Sequence, residues 1–152
     1  IKEIWGLDPS EELLEMARKK AKVEAMDVQF LNAKAEVMEL DDNYFYTVLM
    51  TYTMCTIPNL SQALSEIKRV MKANGRLVFC EHGASPEQQV FKWQNRVNNV
   101  WSKIAGGCNI NKDIPSIIES SGLVISQIET MYLPKTPKIL GYNYWGSAVL
   151  SD

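Results

Sequence analysis

A carboxylate set directly behind an apolar run, Asp8 after Ile4-Trp5-Gly6-Leu7, can serve two kinds of chemistry. At the tip of a strand beside a nucleotide crevice, its two oxygens match a vicinal diol and hold both ribose hydroxyls by charge-assisted hydrogen bonds. Pro9 would then offer a flat apolar surface to a base. Alternatively, Asp8 caps a helix that starts at Pro9, with Glu11 three residues on completing a capping box. The local pattern suits both. His82, the only histidine, lies in Cys80-Glu81-His82-Gly83 just beyond another apolar run. It is the natural base for an acceptor that must lose a proton, or else a loop residue bonded to its neighbours; Glu81 is a weaker candidate of the same kind. Cys55, Cys80 and Cys108 form no C-x-x-C pair. That favours free thiols in a reducing compartment, with Cys55 as pocket wall or buried apolar side chain, and with one histidine no metal site is expected.

Regular elements must position these groups. Glu3–Leu7 reads as a strand, and Leu13, Leu14, Ala17 and Ala21 recur on one face of the helix behind it. Val28–Leu31 is a second strand. Tyr46–Thr51 is a third, continuous enough to predict burial on both faces. Asn59 opens a helix with the stripe Ala63, Leu64, Ile67, Val70 and Met71, closed by Asn74-Gly75. Arg76–Cys80 is a fourth strand. Pro86–Ile104 carries Val90, Trp93, Val97, Val100, Trp101 and Ile104 at helical spacing, and Gly106-Gly107 ends it. A short helix over Asp113–Ser121 and two strands, Val124–Tyr132 and Tyr142–Leu150, complete the chain. The alternation predicts an α/β domain with a parallel sheet, and the last two strands predict an antiparallel pair.

Four blocks, "GLDPSEELLEMARKKA", "FLNAKAEVMELDDNYF", "VLMTYTMCTIPN" and "ALSEIKRVMKANGRLVFCEHG", resemble the class I S-adenosylmethionine-dependent methyltransferases in order and spacing. The likeness is strongest to the quinone C-methyltransferases and the alkyl-thiol methyltransferases, and "GGCNI" and "GYNYWGSA" look most like the latter. It implies a Rossmann-like sheet, mostly parallel with a C-terminal antiparallel pair, over residues 1–152 as one domain. Residues 85–122 would be a helical insertion over the acceptor pocket. The implied cofactor is S-adenosyl-L-methionine. Asp8 matches the ribose-binding acid, with Pro9 beside it. In "NAKAE", the Ala35 N–H would face adenine, flanked by Lys34 and Glu36. Lys34 stands where many members have an Asp, and it cannot accept a hydrogen bond. Thr51 and Tyr52 would line the methionine end, and His82 would sit where acceptor and cofactor meet. The family's first strand and Gly-rich loop do not precede Ile1. In this fold that strand lies between those of Leu7 and Val48. Rearranged pairing, exchange with another copy or a truncated gene product is therefore predicted, with weak cofactor binding by this chain alone.

A chain of 152 residues, 46% apolar and 22% charged with net charge −2, has no general attraction for nucleic acid or anionic membrane. No apolar run reaches the length of a bilayer span, and neither a span nor a signal peptide is expected. The expected setting is cytoplasmic. The expected partner is a small, possibly apolar acceptor (lipid, quinone or thiol), with a homodimer through exposed sheet edges as a further expectation. Two competing readings are a nicotinamide-dependent oxidoreductase, which also places an acid after its second strand, and a non-catalytic or incomplete domain.

Overall fold

The computed structural model describes residues 3–151. Its elements run β1 (Trp5–Asp8), α1 (Glu11–Val23), β2 (Gln29–Asn32), β3 (Phe45–Thr51), α2 (Leu60–Val70), β4 (Met71–His82), α3 (Gln88–Ile104), α4 (Ile114–Ser120), β5 (Leu123–Tyr132), α5 (Lys138–Gly141) and β6 (Tyr142–Leu150). The strands form two sheets. β1 and β2 pair in parallel, while the larger sheet has the order β3-β4-β6-β5. Within it β3 runs parallel to β4, and β6 is antiparallel to both β4 and β5, as the sequence predicts for the last two strands. The α/β architecture holds, but the sheet is divided between β1 and β3. Across that division run side-chain contacts: Trp5 meets Tyr44 and Phe45 edge-on, with ring centroids 6.5 and 6.4 Å apart. The Tyr44 hydroxyl also donates to Glu3 Oε2 at 2.8 Å.

The division corrects the reading of β3. With β4 as its hydrogen-bonded neighbour, β3 is an edge strand, and Leu49 is 65% exposed where two-sided burial is predicted. The core lies on the other side. α2 buries Leu60, Ala63, Leu64, Ile67 and Val70 against Leu77 and Phe79 of β4 and Ala148 of β6. Each fully buried large side chain there is worth about 1.5–3 kcal/mol. Asn59 caps α2 as expected, accepting from the Gln62 amide at 3.2 Å. The helix ends sooner than Asn74-Gly75, because Met71 already adopts an extended ψ of 138° and starts β4. Gly75 serves close approach instead: a Cβ there would stand 2.8 Å from the Lys72 carbonyl and 3.0 Å from that of Phe45.

α3 presents a face that its apolar residues do not announce. Trp93 is 55% and Ile104 75% exposed, while Gln94 and Asn98 are buried. Gln94 accepts from the Ser85 amide and donates to the carbonyls of Gly83 and Ile139. Asn98 accepts from the Ile110 amide and donates to Asn109. The inward face must satisfy loop backbone groups that are out of reach of water, so amides occupy it. Among the described residues no helix is long and apolar enough to cross a membrane.

Candidate active site

The carboxyl ends of β1, β2, β3 and β4 carry Asp8, Asn32, Thr51 and His82. Asp8 is paired in register with Asn32, so the loops after β1 and β2 leave from one edge. The structure corrects the capping reading: Ser10 is the N-cap of α1, its hydroxyl accepting from the Leu13 amide at 3.3 Å, and Pro9 lies outside the helix. Asp8 Oδ1 accepts the Ser10 amide at 2.8 Å. Among the described residues that is the only hydrogen bond to this half-buried carboxylate, so Oδ2 is available to a ligand. Lys34 is exposed, while Ala35 is half-buried against the core. The Val37 amide donates to the Lys34 carbonyl, turning the chain there. Glu36 takes a structural part, accepting from the Asn59 amide at 3.4 Å. The loop beyond is pinned by Arg69, which donates to the Met38 and Leu40 carbonyls and pairs with Asp42 and Glu66. The Asp8 carboxylate, with one oxygen lacking a partner among the described residues, is an acceptor that suits a ribose hydroxyl of a nucleoside cofactor. Two clefts of about 400 and 300 Å³ lie elsewhere, between α1 and β2 and between α2 and α4, and touch neither Asp8 nor residues 34–36.

The other half of the edge is denser. Tyr52 follows β3 with φ of 52°, in the left-handed region, a strained backbone of the kind found at functional sites. Its amide donates to the Cys80 carbonyl and its hydroxyl to Asn143 Oδ1 at 2.8 Å. Its ring stands edge-on to His82, centroids 6.0 Å apart. His82 Nε2 lies 3.1 Å from Cys108 Sγ, and Cys55 Sγ is within 4.8 Å of both atoms. Asn109 holds this arrangement: its backbone amide and its Nδ2 both donate to the Cys55 carbonyl, at 3.0 and 3.2 Å. Lys112 Nζ donates to the Met54 carbonyl at 2.8 Å.

Burial dominates the electrostatics here. It lowers the His82 pKa, against the Leu140 backbone, which pulls the other way, and so disfavours the charged ring. It pushes the Cys55 thiol up to about 12, with the hydrogen bond to Cys108 adding to the effect. Glu81, fully buried, is raised by desolvation although its Oε1 accepts from the Thr53 and Met54 amides at 2.9 and 3.2 Å. Its Oε2 has no partner. Glu81 therefore ties the turn after β3 to β4, and burial raises the pKa of Tyr52 as well.

The sequence-selected residues thus fall into two groups: Asp8, Pro9, Lys34, Ala35 and Glu36 at one end of the edge, Thr51, Tyr52 and His82 at the other. Sequence reasoning did not foresee the meeting of Cys55 and Cys108 at His82, or the partnership of Asn143 with Tyr52. The Cys108-Asn109 pair was the one signal in the sequence, and it acquires a role only when the Cys55 carbonyl is seen beside it.

A family model described as "Methyltransferase domain" matches residues 1–79. A thiol S-methyltransferase, TMT1B of Rattus norvegicus, is 30% identical over 120 residues, covering 74% of this chain and 49% of that protein. A demethylmenaquinone methyltransferase of Lactococcus lactis is 34% identical over 90 residues, covering 59% of this chain and 35% of that protein. The chain therefore spans about half the length of the curated thiol methyltransferase it matches, and less of the quinone enzyme. Among solved structures, the YcgJ protein of Bacillus subtilis superimposes with a TM-score of 0.79 at 15% identity, over 99% of this chain and 83% of that one. At that identity the likeness shows the fold alone.

Proposed function

This chain belongs to the class I S-adenosylmethionine-dependent methyltransferases, and we propose that it serves methyl transfer to a small acceptor, a thiol before a quinone. The nicotinamide reading falls with the family assignment. The observation that carries the proposal is Asp8: it stands at the tip of β1 with one oxygen free, because Ser10 has taken over the capping of α1.

The cofactor supplies, when bound, a methyl group on a sulfonium whose leaving group is a neutral thioether. Alignment of acceptor with that methyl group supplies most of the acceleration, so the protein needs orienting surfaces more than a catalytic cluster. Asp8 orients the ribose, Ala35 and Pro9 flank the base, Lys34 and Glu36 frame the loop, and Thr51 and Tyr52 line the methionine end. Residues 85–122 form the acceptor-side wall, with α3 tied down by Gln94 and Asn98. His82, beside two thiols, stands on the acceptor side. The thiol preference rests on the likeness to TMT1B. The three cysteines, all free thiols, suit a reducing cytoplasm.

The test is transfer of a labelled methyl group from S-adenosylmethionine to a small alkyl thiol and to a demethylmenaquinone analogue. Product from the thiol in excess of product from the quinone is expected. Cofactor binding without transfer to either would favour a non-catalytic domain.

A further inference from the structure

Three side chains from separate parts of the chain converge behind the strand tips: Cys55 from the turn after β3, His82 from the end of β4, and Cys108 from the loop after α3. We propose that Cys55, His82 and Cys108 bind one zinc ion, with a fourth position open to a thiolate. This deepens the thiol-acceptor reading above and rests on it for the identity of the fourth ligand.

The ligand set is the first argument. Two cysteine sulfurs and one imidazole nitrogen are what zinc takes in sites that keep a position for substrate. Geometry is the second. Tetrahedral zinc, with Zn–S about 2.3 Å and Zn–N about 2.0 Å, separates sulfur from nitrogen by about 3.5 Å and two sulfurs by about 3.8 Å. Here one sulfur–nitrogen distance is 3.1 Å, and all three atoms lie within 4.8 Å of one another. Small side-chain rotations close the difference. The surroundings are the third. The Leu140 backbone lies near the His82 ring and offers it a second partner of the kind ligating imidazoles use. Asn109 clamps the Cys55 segment to the Cys108 segment through two hydrogen bonds to one carbonyl. Zinc with two thiolates is formally neutral, which suits a site where Cys55 is buried and Cys108 half-buried.

The chemistry balances with zinc drawn from solution. Each cysteine gives a proton to solvent as its S–H electron pair becomes a Zn–S bond. A thiol entering the fourth position does the same and stays as a bound thiolate, nucleophilic at neutral pH. His82 is then a ligand, and its Nε2 lone pair is not available as a base.

The chain is prepared with a reductant, stripped with a chelator and reloaded with Zn²⁺ or Co²⁺. Bound metal per chain is measured after gel filtration, together with the visible spectrum of the cobalt form. One metal per chain is expected, with a sulfur-to-cobalt charge-transfer band and tetrahedral intensities that change when 2-mercaptoethanol is added. Cys108→Ser and His82→Ala should each lose at least tenfold in metal affinity with an unchanged far-ultraviolet spectrum, while Cys80→Ser keeps the site. No stoichiometric metal in the folded chain, a Cys55–Cys108 disulfide forming in preference to metal binding, or wild-type metal affinity in both variants would overturn the assignment. A cobalt spectrum blind to the added thiol would overturn the open position. Methyl transfer is scored separately: metal without transfer leaves the site standing and removes the acceptor reading, and transfer without metal does the reverse.

Discussion

The two ends of the strand-tip edge are built by different means. The β1–α1–β2 unit buries one side chain, Leu14, and is held by local devices: the Ser10 cap, the exposed Glu11–Arg18 and Lys20–Glu24 pairs, and aromatic edges from Trp5. Around β4 and β6 the same chain buries Leu77, Phe79, Tyr144 and Ala148 together with five polar side chains, Glu81, Ser85, Gln94, Asn98 and Asn143. Exposed ion pairs of the first kind are worth about 0–1 kcal/mol each. Buried amides held by hydrogen bonds, as Gln94, Asn98 and Asn143 are, specify positions far more tightly. The cofactor end is therefore a surface that presents groups, and the acceptor end is a scaffold that fixes them.

Two glycines expose the difference most sharply. At Gly146 of β6 a Cβ would stand 2.1 Å from the Gln127 carbonyl, where β5 shifts register, and the backbone cannot yield. At Gly6 of β1 it would meet only the Phe30 ring, at 3.1 Å, which can turn. Gly146→Ala should cost about 3 kcal/mol in a denaturant titration and Gly6→Ala less than about 1 kcal/mol. Equal costs would erase the contrast.

Glu81 gives the next largest effect. Glu81→Ala strands the Thr53 and Met54 amides and should cost about 2 kcal/mol, whereas Glu81→Gln keeps an acceptor and should cost little. The two proteins should also differ with pH. A carboxyl whose folded pKa is raised binds more protons folded than unfolded in the window above the usual carboxylate range. Its contribution is present at the acid end of that window and is lost as pH rises through the folded pKa. The stability of the wild type relative to Glu81→Gln should thus improve as pH falls towards that range. A decline would mean that the carboxylate is charged in the fold.

Smaller effects belong to the other end. Amides of α1 and β2 should exchange with solvent at lower opening free energies than those of β4 and β6, as measured by native-state hydrogen exchange. Ser10→Ala should cost about 1 kcal/mol and act on α1 alone. Uniform protection across both regions would show that the β1–α1–β2 unit is as firmly fixed as the larger sheet.

What the sequence made legible follows the same division. The α2 stripe, its Asn59 cap and the antiparallel β5–β6 pair were readable because apolar spacing and capping chemistry are local. The burial of α3 was not, since its inward face is built on Gln94 and Asn98 and the apolar period points to Trp93 and Ile104. The exposure of β3 was hidden for a related reason: burial of an apolar strand depends on its neighbours, and here one of them is absent among the described strands. Asp8 was identified as a candidate, but its freedom from capping depended on whether Ser10 would take that place. The Cys55–His82–Cys108 cluster joins loops far apart in the chain, where no spacing rule applies.

The account turns on the free oxygen of Asp8. Calorimetric titration of S-adenosylhomocysteine into the wild type and Asp8→Asn tests it directly, because asparagine keeps an oxygen for the Ser10 amide and loses the charge. Affinity should fall at least about tenfold, which is about 1.4 kcal/mol, with stability unchanged. Equal affinity in the two proteins would contradict the account and place the cofactor elsewhere.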